Sequence, residues 1–139
     1  MTIPPARRRE LLAAARQASD KAYAPYSGLR VGAALLSRAG DVFVGANVEN
    51  ASFGLTLCAE RAAVAAAVAA GAREFVALAI AAHSPVPLSP CGACRQVLAE
   101  FGRDLLILSA GTKGRPRAWR LKDLLPQAFV FDRPRRRAR

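Results

Sequence analysis

Two stretches of this 139-residue chain run apolar without alternation: "EFVALAIAA" at 74–82 and "DLLILSA" at 104–110. A strand with one face in water alternates polar and apolar residues. These do not, so each must be covered on both faces. That requirement calls for helices above and below a sheet. The helices are visible. Residues 5–22, "PARRRELLAAARQASDKA", place Leu11, Leu12, Ala15 and Ala18 on one face, with Pro4 or Pro5 at the entry. An alanine-rich helix, "LCAERAAVAAAVAAG", stops at Gly71. "CGACRQVLAEFG" ends at Gly102, and "KDLLPQAF" is a short last helix. "LRVGAALLS" and "DVFVGANVEN" read as two strands joined by "RAG" in a hairpin. The order helix, two strands, helix, strand, helix, strand predicts an α/β fold. It is a three-layer α/β/α sandwich around one mixed sheet. The length suits a single domain with a core large enough to need no disulfide.

The cysteines narrow the chemistry. Cys58, Cys91 and Cys94 are an odd set in a chain without a secretion signal, which argues against a disulfide framework. "PCGAC" sets Cys91 and Cys94 three apart at a helix start, hence on one face. Cys58 opens another helix. In a doubly wound sheet, helix starts meet at the ends of the strands, where sites form. Three thiolates would hold one zinc ion and leave a fourth position for water, the pattern of a catalytic rather than a structural site. Free N–H groups at the helix starts favour thiolates. Arg61 and Arg95, each beside a cysteine in sequence, can offset part of the negative charge of three thiolates. The CxxC alone fits a redox pair or two buried thiols equally well. Glu60, two residues after Cys58, can sit beside a metal without binding it and move protons there. It also fits a plain first-turn glutamate favoured by the helix dipole.

At these residues the chain strongly resembles the cytidine deaminase family. The carrying segments are "YAPYSGLRVGAALL", "GANVENASFGLTLCAERAAV", "SPCGACRQVLAEF" and "LKDLLPQAF", in order across residues 20–130. The pairing of C-x-E with P-C-x-x-C is shared by the wider zinc deaminases, and "NVEN" with "APYS" points to the free-nucleoside branch. The resemblance implies a hydrolase of pyrimidine salvage with one zinc per chain, ligated by Cys58, Cys91 and Cys94. Water activated there attacks C4 of cytidine or deoxycytidine. Glu60 protonates N3, and ammonia leaves. The backbone of Ala59 contacts the base, and Asn47 and Glu49 hold the ribose hydroxyls. Leu29 lies where the family commonly has a ring-stacking phenylalanine. Phe129 lies where a neighbouring subunit reaches into the site of a homotetramer. A nucleoside-analogue deaminase of the kind that inactivates blasticidin shares the zinc motifs, but the intact "NVEN" favours the salvage enzyme. The catalytic domain is expected over residues 1–132.

The formal net charge of +11 raises nucleic acid as a partner, but eight of the arginines lie in Arg7–Arg9 and in the tail "RPRRRAR". That tail, residues 133–139, reads as a disordered solvated segment or a polyanion-binding one. A polynucleotide deaminase typically uses histidine as its first ligand and lacks the ribose pair. A nucleic-acid partner is therefore not expected, and a purely structural zinc domain would leave Glu60 unexplained. The apolar runs are too short to span a bilayer, so no membrane partner is expected; the N-terminus reads as no signal peptide, and the expected location is cytoplasmic. His83 reads as a loop residue, and Trp119 as packing or subunit contact.

Overall fold

The computed structural model describes residues 2–131. It builds one five-stranded sheet in the order β2-β1-β3-β4-β5. The strands are β1 (Val31–Ser37), β2 (Val42–Ala46), β3 (Phe75–Ala82), β4 (Leu106–Ala110) and β5 (Arg117–Arg120). The helices are α1 (Pro5–Ser19), α2 (Ala59–Ala69), α3 (Gly92–Ala99) and α4 (Leu121–Leu124). β3 and β4 run parallel, and every other neighbouring pair runs antiparallel. The sheet is mixed, as the element order predicts.

The pleat sorts the apolar strands into two cores. Leu35 of β1, Leu78 and Ile80 of β3 and Ile107 of β4 point to α2 and α3, where they meet Ala59, Ala63, Val64, Ala67 and Leu98. Ala34, Leu36, Ala77, Ala79 and Leu108 point the other way, onto Leu11, Leu12 and Ala15 of α1. Continuous apolar strands are thus explained by a helical layer on each face. α2 presses closely on β2: a Cβ on Gly45 would lie 2.5 Å from the Ala59 carbonyl oxygen, so only glycine admits the helix there. α2 ends where Gly71 takes φ +97°, a left-handed cap.

Some boundaries differ from expectation. α1 stops at Ser19, whose hydroxyl donates to the Arg16 carbonyl. The chain then turns so that Tyr23 can bridge Val48. The last helix shrinks to one turn, with Pro126 just beyond it. The strand β5 was not expected. It pairs antiparallel with β4, and its Trp119 packs on the α2–α3 core under the Arg117 guanidinium, 4.9 Å from the ring centroid. Trp119 is therefore a packing residue. Among the described residues no helix is long and apolar enough to cross a membrane. The expected boundary after residue 132 and the basic segment 133–139 lie outside the described residues.

Candidate metal centre

The alanine-rich helix and the "PCGAC" helix deliver their thiols to one point. Cys58 is the N-cap of α2 and Cys91 the N-cap of α3, both in extended backbone conformation. Cys94 follows inside the first turn of α3, fully buried. Cys91 Sγ lies 3.4 Å from Cys94 Sγ and 4.0 Å from Cys58 Sγ. All three sulfurs lie within 4.8 Å of one another. A tetrahedral zinc ion with Zn–S of about 2.3 Å holds its sulfurs about 3.8 Å apart, so side-chain shifts within about an ångström bring the three onto one ion.

The charge in the cluster is uneven. Hydrogen bonding with Cys94 and the nearby Arg61 guanidinium pull the Cys58 thiol down to about 5. The bond to Cys58, together with burial, pushes Cys94 up. Arg61, in the first turn of α2, donates from Nη2 to Cys58 Sγ at 3.2 Å, and its Nε is buried without a partner among the described residues. It lies where its charge can offset that of the thiolates. Arg95 does not. Its Nε donates to the Pro90 carbonyl, Nη1 to the Leu124 carbonyl and Nη2 to Ser89 Oγ. Lying next to Cys94 in sequence turns it along α3 toward those carbonyls, so it braces the cysteine loop against α4 rather than touching a thiol.

Glu60 is the second residue of α2 and only 6% exposed. Burial raises its pKa, and the neighbouring Cys58 charge adds to the effect. Ala59, the first residue of α2, is fully buried.

Beside the thiols lies a loop, residues 23–30, wrapped around two polar side chains. Asn47 Oδ1 accepts from the Val31 N–H and Nδ2 donates to the Leu29 carbonyl, each at 2.8 Å. Glu49 Oε1 accepts from the N–H groups of Tyr26 and Ser27, and Oε2 accepts from the Ser27 hydroxyl. These bonds lower the Glu49 pKa, the Ser27 hydroxyl most of all. Both side chains therefore organise the loop, which the "NVEN" pattern did not reveal. Each retains unused hydrogen-bonding capacity. An open cleft lined by Tyr26, Ser27, Glu49, Phe53 and Thr56 lies alongside. Leu29 is 37% exposed.

Phe129 is 74% exposed, followed by the exposed Val130 and Phe131. Its backbone is clamped to α3: Gln96 Nε2 donates to the Phe129 carbonyl at 2.9 Å, and Gln96 Oε1 accepts the Phe129 N–H at 3.1 Å. His83 lies just past β3, with Nε2 3.0 Å from Ser19 Oγ and 3.4 Å from Asp20 Oδ1, and is no part of the thiol cluster. Ser27 and Gln96 lie inside the segments "APYS" and "SPCGACRQVLAEF", but the motifs gave neither of them a role. Their partners stand 22 and 33 residues away, and no local pattern records such bonds.

Comparison with known proteins points the same way. The model of the cytidine and deoxycytidylate deaminase zinc-binding region matches residues 5–110. A cytidine deaminase of Halalkalibacterium halodurans is 47% identical over 126 residues, covering 90% of this chain and 96% of that protein. One of Mycobacterium tuberculosis is 51% identical over 119 residues, covering 85% and 86%. The crystal structure of cytidine deaminase from Burkholderia pseudomallei superposes with a TM-score of 0.83 at 49% identity, covering 87% of this chain and 98% of that one.

Proposed function

Because the chain belongs to the cytidine and deoxycytidylate deaminase family, whose defining region binds zinc, we propose that it hydrolyses cytidine and deoxycytidine to uridine and deoxyuridine in pyrimidine salvage. The observation that carries this reading is the convergence of three thiols from two helix starts, with a buried carboxylate on the same turn. Zinc bound by Cys58, Cys91 and Cys94 supplies a Lewis acid that makes water a nucleophile near neutral pH. The donor set fits it, since three sulfur ligands leave one position open.

The remaining steps belong to the chain. Glu60 takes a proton from the attacking water and passes it to N3 of the pyrimidine. A second transfer goes to the amino group as the C4–N bond breaks. The water oxygen stays on C4 and ammonia leaves. A buried carboxylate with a raised pKa suits this work, because it keeps a proton to higher pH than an exposed one does. The backbone of Ala59 meets the base, Leu29 covers the ring, and the free positions on Asn47 and Glu49 take the ribose hydroxyls. Arg61 tempers the thiolate charge.

The assembly is a homotetramer in which Phe129 reaches into a neighbour's site. The exposed Phe129, Val130 and Phe131 on a clamped segment support that reading. The catalytic unit is residues 1–132, the tail is dispensable for turnover, and the enzyme works in the cytoplasm on a free nucleoside.

The test sets cytidine against a cytosine-containing oligonucleotide, with zinc measured on the same protein. Cytidine should turn over with one zinc per chain. Glu60→Ala should keep the metal and lose roughly a hundredfold to ten-thousandfold in kcat. Turnover of the oligonucleotide alone, or zinc with no turnover of either, overturns the reading.

A further inference from the structure

The Ser27 hydroxyl sits between the residue proposed to hold the sugar and the one proposed to cover the base. It donates to Glu49 Oε2 and accepts the Leu29 N–H at 3.0 Å. The Ser27 N–H donates to Glu49 Oε1 at 3.1 Å, and the Tyr26 N–H joins it at 2.9 Å. One carboxylate thus gathers three donors from two successive residues. Gly28, at φ +72°, makes the turn that brings the Leu29 N–H back to the same hydroxyl.

A donor inventory shows what this does. Oε1 has both of its acceptor directions filled. Oε2 has one filled by the hydroxyl, so one good direction is left. The hydroxyl therefore decides which lone pair of Glu49 remains for a ligand and how the carboxylate is rotated. No other side chain touches that oxygen in the described hydrogen bonds. Its second bond fixes the backbone at Leu29, whose carbonyl is in turn held by Asn47 Nδ2. Sugar-holding and ring-covering groups are thereby set relative to one another by a single atom.

We propose that Ser27 is a positioning residue for the nucleoside. It orients the Glu49 carboxylate toward the sugar hydroxyls and fixes Leu29 in register with it. This rests on the reading of Glu49 as a ribose ligand. Ser27 does not touch the reacting atoms, so its loss weakens binding and leaves the chemical step alone.

The experiment is steady-state kinetics on cytidine with Ser27→Ala, Ser27→Thr, Glu49→Ala and the Ser27→Ala/Glu49→Ala double variant, each with zinc content measured. Ser27→Ala should raise KM about fivefold to tenfold, the scale of one ordinary hydrogen bond at a solvent-exposed position, with kcat within about twofold. Ser27→Thr, which keeps the hydroxyl, should stay within about twofold of the native KM. In the Glu49→Ala background the loss of Ser27 should cost clearly less, about twofold, because only its bond to the Leu29 N–H is then left to lose. Ser27→Ala with a native KM, or with an equal penalty in both backgrounds, overturns the positioning role while leaving Glu49 as a ligand. A native KM in Glu49→Ala overturns the reading of Glu49 itself, and the role of Ser27 falls with it.

Discussion

The thiol end and the loop end of the site are neighbours built by opposite means. Cys58, Cys91 and Cys94 ride on the first turns of helices whose other residues, Ala63, Ala67 and Leu98, are buried against the sheet. The loop at 23–30 has little core beneath it. Tyr23, Tyr26 and Leu29 are exposed, and side-chain bonds from Asn47 and Glu49 give the loop its shape. One end inherits its geometry from the fold, and the other must make its own. A change at the thiol end should therefore cost metal, stability and turnover together. A change at the loop end, or at the clamped C-terminal segment, should cost binding and spare the metal.

The largest effect should come from Cys94→Ala. The residue is fully buried and contributes one of three ligands, so its removal takes the metal with it. Turnover should fall roughly a thousandfold or more, since several kcal/mol of Lewis-acid assistance disappears. The Tm should fall as well. Elemental analysis and a thermal melt check both. A variant that keeps one zinc per chain would show that the site does not depend on its buried ligand, and the contrast between the two ends would collapse.

A smaller effect is expected where Gln96 brackets the Phe129 backbone. On the proposal that Phe129 reaches into a neighbour's site, Phe129→Ala should raise KM for cytidine about tenfold, the scale of losing an aromatic contact. Gln96→Ala should raise it about threefold, because two partly exposed hydrogen bonds are individually weak. Zinc content should stay native in both. Kinetics with sedimentation separates a loosened contact from a dissociated assembly. Zinc loss in Gln96→Ala, matching that of Cys94→Ala, would mean that α3 transmits damage from one end to the other.

The same contrast explains what the sequence disclosed. The covered strands, both cysteine-bearing helices and the mixed sheet could be read because each leaves a periodic or punctuated local pattern. Cys58, Glu60, Cys91 and Cys94 stood out for the same reason, lying at helix starts with fixed spacing. The strand β5 did not, because "RAWR" offers four residues, two of them arginine, and borrows its strand character from pairing with β4. The bonds of Arg95 to the Pro90 and Leu124 carbonyls were not legible, because adjacency in sequence says nothing of which way a long side chain runs. Ser27 and Gln96 lie in quoted segments, but their roles were not legible because their work is done across the fold. The double use of Asn47 and Glu49, as loop organisers with capacity to spare, appears only when every donor is counted.

The gentlest test is Leu29→Phe, since it adds a contact rather than removing one. The resemblance puts an aromatic ring at this position, and Leu29 has a fixed backbone: its N–H is held by Ser27 Oγ and its carbonyl by Asn47 Nδ2. The side chain is 37% exposed, so a larger one has somewhere to go. Stacking contributes about 0.5–1.5 kcal/mol beyond burial, on the order of twofold to tenfold in binding. Overpacking costs about 1–3 kcal/mol, but that figure applies to closed cores. At a partly open position on an anchored backbone the gain should win. It should appear as a lower KM for cytidine with kcat nearly unchanged, because a ring over the pyrimidine holds ground state and transition state alike. Kinetics on cytidine, deoxycytidine and a bulkier base analogue, with a thermal melt, decides the matter. A raised KM for cytidine at unchanged Tm would mean that the loop end is shaped around leucine, with a base other than plain cytosine as its better fit.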